Sequence, residues 1–318
     1  MGKYVLKRIG LMVLCLFVII SVAFFALRLI PGGPYDDDPD LAPEAKAALE
    51  ARMNLDKPLV VQYVLFMKGI ILENNWGASL KLRPGVAAFD IIGERVGATM
   101  VLNLLSLLIS LPLGIIAGTI AAIYKNKWPD TLLSFMVIVC ISVPSFIFAT
   151  LLQYFPGFKF GWFPLLFNAT GTPAEQMKSM ILPVMALSFS PIATVCRYLR
   201  GELIETLSSE YMLLARTKGL KRGAAIVKHA FRNSCVPLAN IIIPMFTNIM
   251  GGSLVVETLF SIPGIGTLLT DSITSRDYTV TMAALLFYSF ISVATILLVD
   301  LSYGIIDPRI RLGAKGND

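Results

Sequence analysis

Apolar positions dominate this chain in long blocks, and the polar residues gather into short, unequal groups between them. A hydrocarbon core about 30 Å thick needs about 20 mostly apolar residues in helical form. The pattern predicts about six such helices, at 9–30, 99–124, 131–155, 178–199, 236–257 and 280–304. Each carries Gly, Pro, Ser or other small residues, which suits helices that pack closely in lipid. The first follows Lys3, Lys7 and Arg8, as a secretory signal would. Its length and its ending at Arg28-Leu29-Ile30-Pro31-Gly32-Gly33, with no small-x-small cleavage pattern there, make it a retained helix instead. The expected fold is an all-α integral membrane protein forming one transmembrane domain over 1–318.

Two polar stretches are too long for turns. In 31–97, Pro43-Glu44-Ala45 opens a short helix that ends near Asn54, and Leu59, Tyr63, Phe66 and Ile70 recur at helical spacing from Pro58 to Leu72. A lid of short helices lying against the outer membrane surface is expected there. The acids Asp36, Asp37, Asp38 and Asp40 lack the Gly and distal Glu of a calcium loop and read as solvated charge. In 200–235, Leu203, Ile204, Leu207, Tyr211, Leu214 and Ala215 fall on one face of a short helix, which Gly219 can end in a left-handed conformation. A second short helix over 221–232 then turns back toward the membrane. From Arg216 to Arg232 there are six Lys or Arg and no acid. The result is a small apolar knob ringed by positive charge, fit to dock in a groove on a soluble partner and to pass on a push. A plain basic loop explains the charge but not the paired-helix pattern.

Composition agrees: with 56% hydrophobic and 15% charged residues and a mean hydropathy of +0.73, a water-soluble fold would expose far too much apolar surface. The net charge of +6 is topological. With six spans, Lys3, Lys7 and Arg8, the turn Lys125-Asn126-Lys127, the stretch from Arg197 to Arg232, and Arg309, Arg311 and Lys315 share one side, which places both termini in the cytoplasm. The acidic segment 31–97 lies opposite, with 156–177 and 258–279. Nucleic acid is not implied, because aromatic-interleaved basic patches are absent. Cys15, Cys140, Cys196 and Cys235 stand singly in or beside apolar helices, and the lone His229 excludes the multi-histidine metal motifs. Gly264-Ile265-Gly266-Thr267 has no Lys behind it, and no Gly-x-Ser-x-Gly elbow occurs. No catalytic residue, metal ligand or cofactor is assigned, so active transport would need a partner or an ion gradient.

An ionisable side chain near the bilayer centre costs about 2.5–3.5 kcal/mol on insertion scales. The candidates are Glu257, at the outer end of the fifth span, and Asp300, near the inner end of the last; neither is at mid-depth. The spans offer Asn103, Ser106, Ser110, Ser142, Ser145, Gln153, Ser188, Asn240 and Asn248 instead. These can line a wet path without titrating, or equally hydrogen-bond helix to helix.

The run Glu210-Tyr211, Ala215-Arg216-Thr217-Lys218-Gly219-Leu220, then His229-Ala230-Phe231-Arg232-Asn233 and Pro237 resembles the coupling motif of ATP-binding-cassette import permeases of the oligopeptide, dipeptide and nickel branch. Further similarity to the first membrane subunit of that branch covers nearly the whole chain. It includes Leu55-Asp56-Lys57-Pro58, Asn126-Lys127-Trp128-Pro129-Asp130, Ile141-Ser142-Val143-Pro144-Ser145-Phe146, Phe260-Ser261-Ile262-Pro263-Gly264-Ile265-Gly266, Arg276-Asp277-Tyr278 and Ile305-Ile306-Asp307-Pro308-Arg309. The Asn-Lys-Trp turn, long lid and chain ending look most like a Gram-positive oligopeptide permease. One departure is that the glutamate of the general coupling motif is replaced near Leu213, with Glu210 the nearest acid, which implies altered docking detail.

The resemblance implies an oligopeptide importer in the bacterial cytoplasmic membrane: a second homologous permease beside this chain, two ATPases on the loop at 200–235, and an extracellular lipid-anchored peptide-binding protein. Glu210, Tyr211, Ala215, Arg216, Lys218, Gly219, Leu220, Arg222 and Arg232 would form the ATPase-coupling surface. Asn103, Ser142, Ser145, Asn240 and Asn248 would lie along the path, and Glu257, Pro263, Gly264 and Gly266 in a loop that releases substrate. Dipeptides or nickel are the alternative cargo. A proton-coupled peptide carrier is the alternative class, and it would need Glu257 or Asp300. A membrane-anchored enzyme lacks a recognisable nucleophile-base pair.

Overall fold

The computed structural model describes residues 2–30, 33, 35, 36, 42–247 and 253–306. Among them the fold is helical, with only an isolated bridge between Ala78 and Ala87. Four helices are long and apolar enough to cross a membrane: α1 (Gly2–Leu29), α4 (Ala88–Ile123), α8 (Ile181–Leu207) and α14 (Tyr278–Ile306). A fifth crossing is available if α5 (Trp128–Ser142) and the segment Ser145–Lys159, made of α6 (Ser145–Leu152) and a π-helical turn over Gln153–Lys159, count as one span, although they are bent by 101°.

Three expected spans are corrected. α4 begins at Ala88 rather than Thr99, so the last part of the expected lid belongs to this helix, about 54 Å long at 1.5 Å per residue. The third span breaks at Val143, whose extended backbone (φ −88°, ψ 121°) precedes Pro144; the proline ring disfavours helical geometry in the residue before it. The fifth becomes α11 (Arg232–Thr247), 16 residues with Pro237 and Pro244 inside, and the separate α12 (Leu254–Leu259). The two short helices expected within 31–97 are present as α2 (Pro43–Arg52) and α3 (Leu59–Glu73).

Contacts divide the chain into two compact units. The first gathers Met1–Gly97 with Pro263–Leu297. Phe24 of α1 meets Tyr63 and Phe66 of α3 at ring separations of 5.5 and 5.1 Å, and Ser21 Oγ lies 2.7 Å from Tyr63 Oη. Ile91 and Ile92 bury against Ile265 and Leu268 of α13 (Ile265–Thr274) and Val280 of α14. The buried Asp277 holds the loop before α4: its Oδ2 accepts from Ser79 Oγ (2.5 Å) and from the backbone N–H groups of Leu80, Lys81 and Leu82 (3.0, 3.0 and 3.1 Å). Each donor replaces a water that the carboxylate oxygen loses on burial.

The second unit comprises Ala98–Ile262 with Leu298–Asp318 and is centred on α8, against which α5, α6 and α11 pack. α4 and α8 approach closely. A Cβ on Gly114 would lie 2.9 Å from Ile192 O, and one on Gly118 2.8 Å from Cys196 O. With the buried Ala122 they make a small-residue stripe at four-residue spacing, which lets two backbones approach in the absence of a strong hydrophobic driving force between helices in lipid. Ser106, Ser110 and Ser188 close the seam higher up, with Ser106 and Ser188 hydroxyls 3.3 Å apart and Ser110 Oγ donating to Ser188 O at 3.4 Å. Of the two readings of these serines, they serve here as interhelical bonds.

Candidate functional site

The segment between α8 and α11 is built differently from its sequence pattern. α8 runs on to Leu207, so Leu203, Ile204 and Leu207 end the long helix, and a turn at Ser208 and Ser209 starts a separate eight-residue helix, α9 (Glu210–Thr217). The Ser209 carbonyl accepts from Met212 and Leu213 N–H at 3.1 and 3.3 Å. Gly219 comes next at φ +86°, and Leu220 N–H reaches back to Ala215 O at 3.2 Å. That six-to-one bond is the Schellman helix end, which needs a left-handed residue between its partners. The expected second helix is α10 (Arg222–Ala225), and it does not end at Arg232. A π turn over Ile226–Phe231 carries it directly into α11.

The buried face also differs. Met212 packs with Leu203, Ala225 and Ala230 against Ala122 at the end of α4, and Leu220 lies beside them; Ala215 is buried as well. Leu214, expected on that face, is 55% exposed, as are Leu213 (64%) and Val227 (68%). The eight residues of α9 make a little over two turns, so a helix restarted at Glu210 sets its own phase and no longer shares a face with Leu203. Tyr211 is also partly exposed. Burial favours its neutral phenol, yet hydrogen bonds from the Asn233, Thr206 and Ser209 side chains together outweigh that and hold it below the usual tyrosine range. Ser234 Oγ donates to Thr206 Oγ1 at 3.0 Å and ties α11 to α8.

The product is a corner on which the apolar Leu213, Leu214 and Val227 are exposed, as are Lys218, Lys221, Lys228 and Arg232. Glu210, in the first turn of α9, is exposed too, where a helix N-terminus favours an acid. The side chains of Arg216 and Arg222 lie outside the described residues. Such a corner can bind a complementary surface through these side chains and move as a body with α8 and α11.

Asn103 donates to Thr99 O at 2.8 Å, and Thr99 Oγ1 donates to the buried Glu257 at 3.0 Å, with Ser253 N–H 3.4 Å from the same oxygen. The structure therefore brings Asn103 and Glu257 into one polar group through a threonine the sequence did not single out. Ser142, exposed, and Ser145, half-buried, flank the break at Val143 and Pro144. Gln153 is structural, donating to Leu165 O and Leu259 O at 3.0 and 3.1 Å. Asn248 and the side chains of Asn240 and Asp300 lie outside the described residues. After Glu257, Ser261 takes a left-handed turn (φ +53°) and Ile262 N–H returns to Glu257 O at 2.8 Å. Gly264 precedes α13 in extended conformation, with Gly266 buried in its first turn; Pro263 opens the second stretch of the first unit.

A pair the sequence pattern did not single out is Asp130 with Arg200. Arg200 Nε and Nη2 donate to the two carboxylate oxygens at 2.5 and 2.8 Å, and Asn126 N–H adds a third bond at 2.8 Å. This fork joins the start of α5 to α8 two turns before the corner. The available signal was an acid and an arginine bordering apolar blocks, which suggests pairing but not the partner.

Two family descriptions match the chain: "Binding-protein-dependent transport system inner membrane component" over residues 110–312 and its N-terminal counterpart over residues 1–110. The dipeptide transport system permease protein DppB of Lactococcus lactis is 39% identical over 312 residues, covering 98% of this chain and all of that protein. DppB of Bacillus subtilis is 35% identical, covering 99% of this chain and all of its own length. The oligopeptide transport system permease protein OppB of Haemophilus influenzae is 33% identical over 98% of this chain and its whole length. Among solved structures, an amino acid ABC transporter crystallised with histidines superposes with a TM-score of 0.53 at 16% identity, over 67% of this chain and 92% of that one, a likeness of fold.

Proposed function

Because the chain belongs to the binding-protein-dependent transport system inner membrane components, we propose that it is a pore-forming permease of an ATP-driven importer of short peptides. The exposed corner at α9 and α10 carries this reading: exposed apolar side chains with exposed cations, on a body braced to α4, α8 and α11, suit a soluble ATPase that must move membrane helices. Leu213, Leu214 and Val227 fill the partner's groove, Lys218 and Arg232 steer the encounter with Arg216 and Arg222, and Gly219 fixes the angle. Glu210, Tyr211, Ala215 and Leu220 hold the corner in shape. Relatives named for dipeptide and for oligopeptide transport both match end to end, and peptides are the shared cargo.

The assembly is this chain, a second similar permease, two ATPases on the cytoplasmic face and an extracellular binding protein, with both termini of this chain inside. Closure of the ATPases pushes the corner and shifts α8 and α11 as rigid bodies, the usual form of such a transition. The path runs by Asn103, Ser142 and Ser145 with Asn240 and Asn248, and Glu257 with the turn to Pro263, Gly264 and Gly266 lies where peptide is handed over. The test is co-purification from native membranes. Wild type brings down both ATPases and the second permease, whereas Leu213→Asp/Leu214→Asp keeps the permease and loses the ATPases. Retention of the ATPases by that variant refutes the role of these leucines.

A further inference from the structure

The segment after the break in the third span carries an arrangement that transport coupling does not use. α5 is 15 residues long, about 22 Å at 1.5 Å per residue, and so ends about 8 Å short of crossing a 30 Å core. There the chain turns by 101°, and α6 with its π turn runs nearly across the direction of α5. Amphipathic helices that lie in an interface sit about 5–10 Å deep, at the acyl-headgroup boundary. The π turn and the three residues after it are loaded with aromatic side chains, Tyr154, Phe155, Phe158, Phe160 and Trp162, and all are exposed, Phe158 by 69% and Trp162 by 64%.

Two further observations say what covers them. Lys159 is the only charged residue between Asp130 and Glu175, and its ammonium lies over the rings of Phe155 and Phe160 at 5.7 and 5.9 Å. A lone cation stacked on rings amid apolar surface is the arrangement of a side chain reaching for lipid phosphate. Beyond the aromatics the chain becomes polar at Asn168, Thr170 and Thr172, where a capping box with Glu175 starts α7 (Pro173–Ser179) on the way to α8. Depth therefore changes in order, from acyl chains at α6 through rings to water. The patch is held rigidly, because a Cβ on Gly157 would come within 2.9 Å of Leu165 and 3.3 Å of Leu182.

We propose that Tyr154, Phe155, Phe158, Phe160 and Trp162 bed in the phospholipid headgroup layer, with Lys159 on a lipid phosphate, so that this segment anchors the elbow of the third span at the membrane surface and does not cross. Tyr and Trp concentrate at that depth because their rings are amphipathic.

The test uses the assembled importer in bilayers of phosphatidylcholine brominated either near the headgroup or near the chain ends, with Trp76→Phe and Trp128→Phe leaving Trp162 as this chain's one tryptophan and the emission of the same assembly carrying Trp162→Phe as well subtracted for the tryptophans of the other subunits. The expected result is a larger loss of Trp162 emission with the shallow bromines than with the deep ones. No loss with either lipid means that water or a partner subunit covers the patch, and equal or larger loss with the deep bromines means that the segment enters the core; each overturns the proposal. If the double replacement prevents assembly, the same profile is obtained as the difference between wild type and Trp162→Phe.

Discussion

Replacing Asp130 by Asn removes one charge from the fork that joins α5 to α8 and changes almost no volume. The carboxylate side chain is 5% exposed and the arginine side chain 31%. Breaking a fully buried ion pair by neutralising one partner costs about 3–5 kcal/mol, because the other charge is left uncompensated. Here water can reach part of the guanidinium, and a cost of about 2–3 kcal/mol is expected after that relief. The assay is reversible unfolding in mixed micelles for Asp130→Asn, Arg200→Gln and the double variant. If the fork is the source of the effect, the double variant is less destabilised than the sum of the singles by about 1.5 kcal/mol or more. Additive single effects, or a loss below about 0.5 kcal/mol for Asp130→Asn, refute the reasoning. In the assembled importer, Asp130→Asn is also expected to hydrolyse ATP while moving less peptide, since α5 no longer follows α8.

Gly118→Leu places a side chain where even a Cβ would come within 2.8 Å of Cys196 O, and it should reduce the yield of folded protein, whereas Gly93→Leu, with nothing within 4 Å of a new Cβ, should not; monodisperse yield after extraction compares them. Gly219→Ala forces a Cβ into φ +86°, at a cost of about 1 kcal/mol, and faster amide exchange at Leu220 is its signature. Glu175 has its carboxyl held below the usual range by the Thr172 backbone and hydroxyl bonds. A depressed folded value stabilises above the unfolded one, near 4.3, and that stability is lost as pH falls through the folded value. Exchange protection of α7, corrected for intrinsic rates, should therefore hold at neutral pH and fall in acid; Thr172→Ala, which keeps the backbone bond, should weaken the pH dependence, and Glu175→Gln should remove it.

Much of the architecture was legible in the pattern of the chain, and the misses share a physical form. The two short helices within 31–97 are marked by Pro43 and Pro58, because proline sets a helix start locally. Gly219 was legible for the same reason: a left-handed residue is a local requirement. The bend at Val143 was also written locally, in the proline after it, yet continuous hydropathy across 131–155 read as one crossing; composition does not record direction. The face of α9 was missed because Ser208 and Ser209 interrupt α8 and reset the phase, which places Met212 inside and Leu214 outside. Asp130 with Arg200, and Asp277 with Ser79, are separated by 70 and 198 residues; one sequence shows each charge and not its partner.

In the importer proposed above, peptide moves with ATP spent by subunits bound to the corner at α9 and α10. The most direct measurement is uptake of a labelled short peptide by proteoliposomes holding the complete assembly, with ATP or with a proton gradient alone, for wild type and Leu213→Asp/Leu214→Asp. Uptake is expected in wild type with ATP only, and its loss in the variant. Uptake under a proton gradient without ATP, abolished by Glu257→Gln and untouched by the change at the corner, would contradict that mechanism.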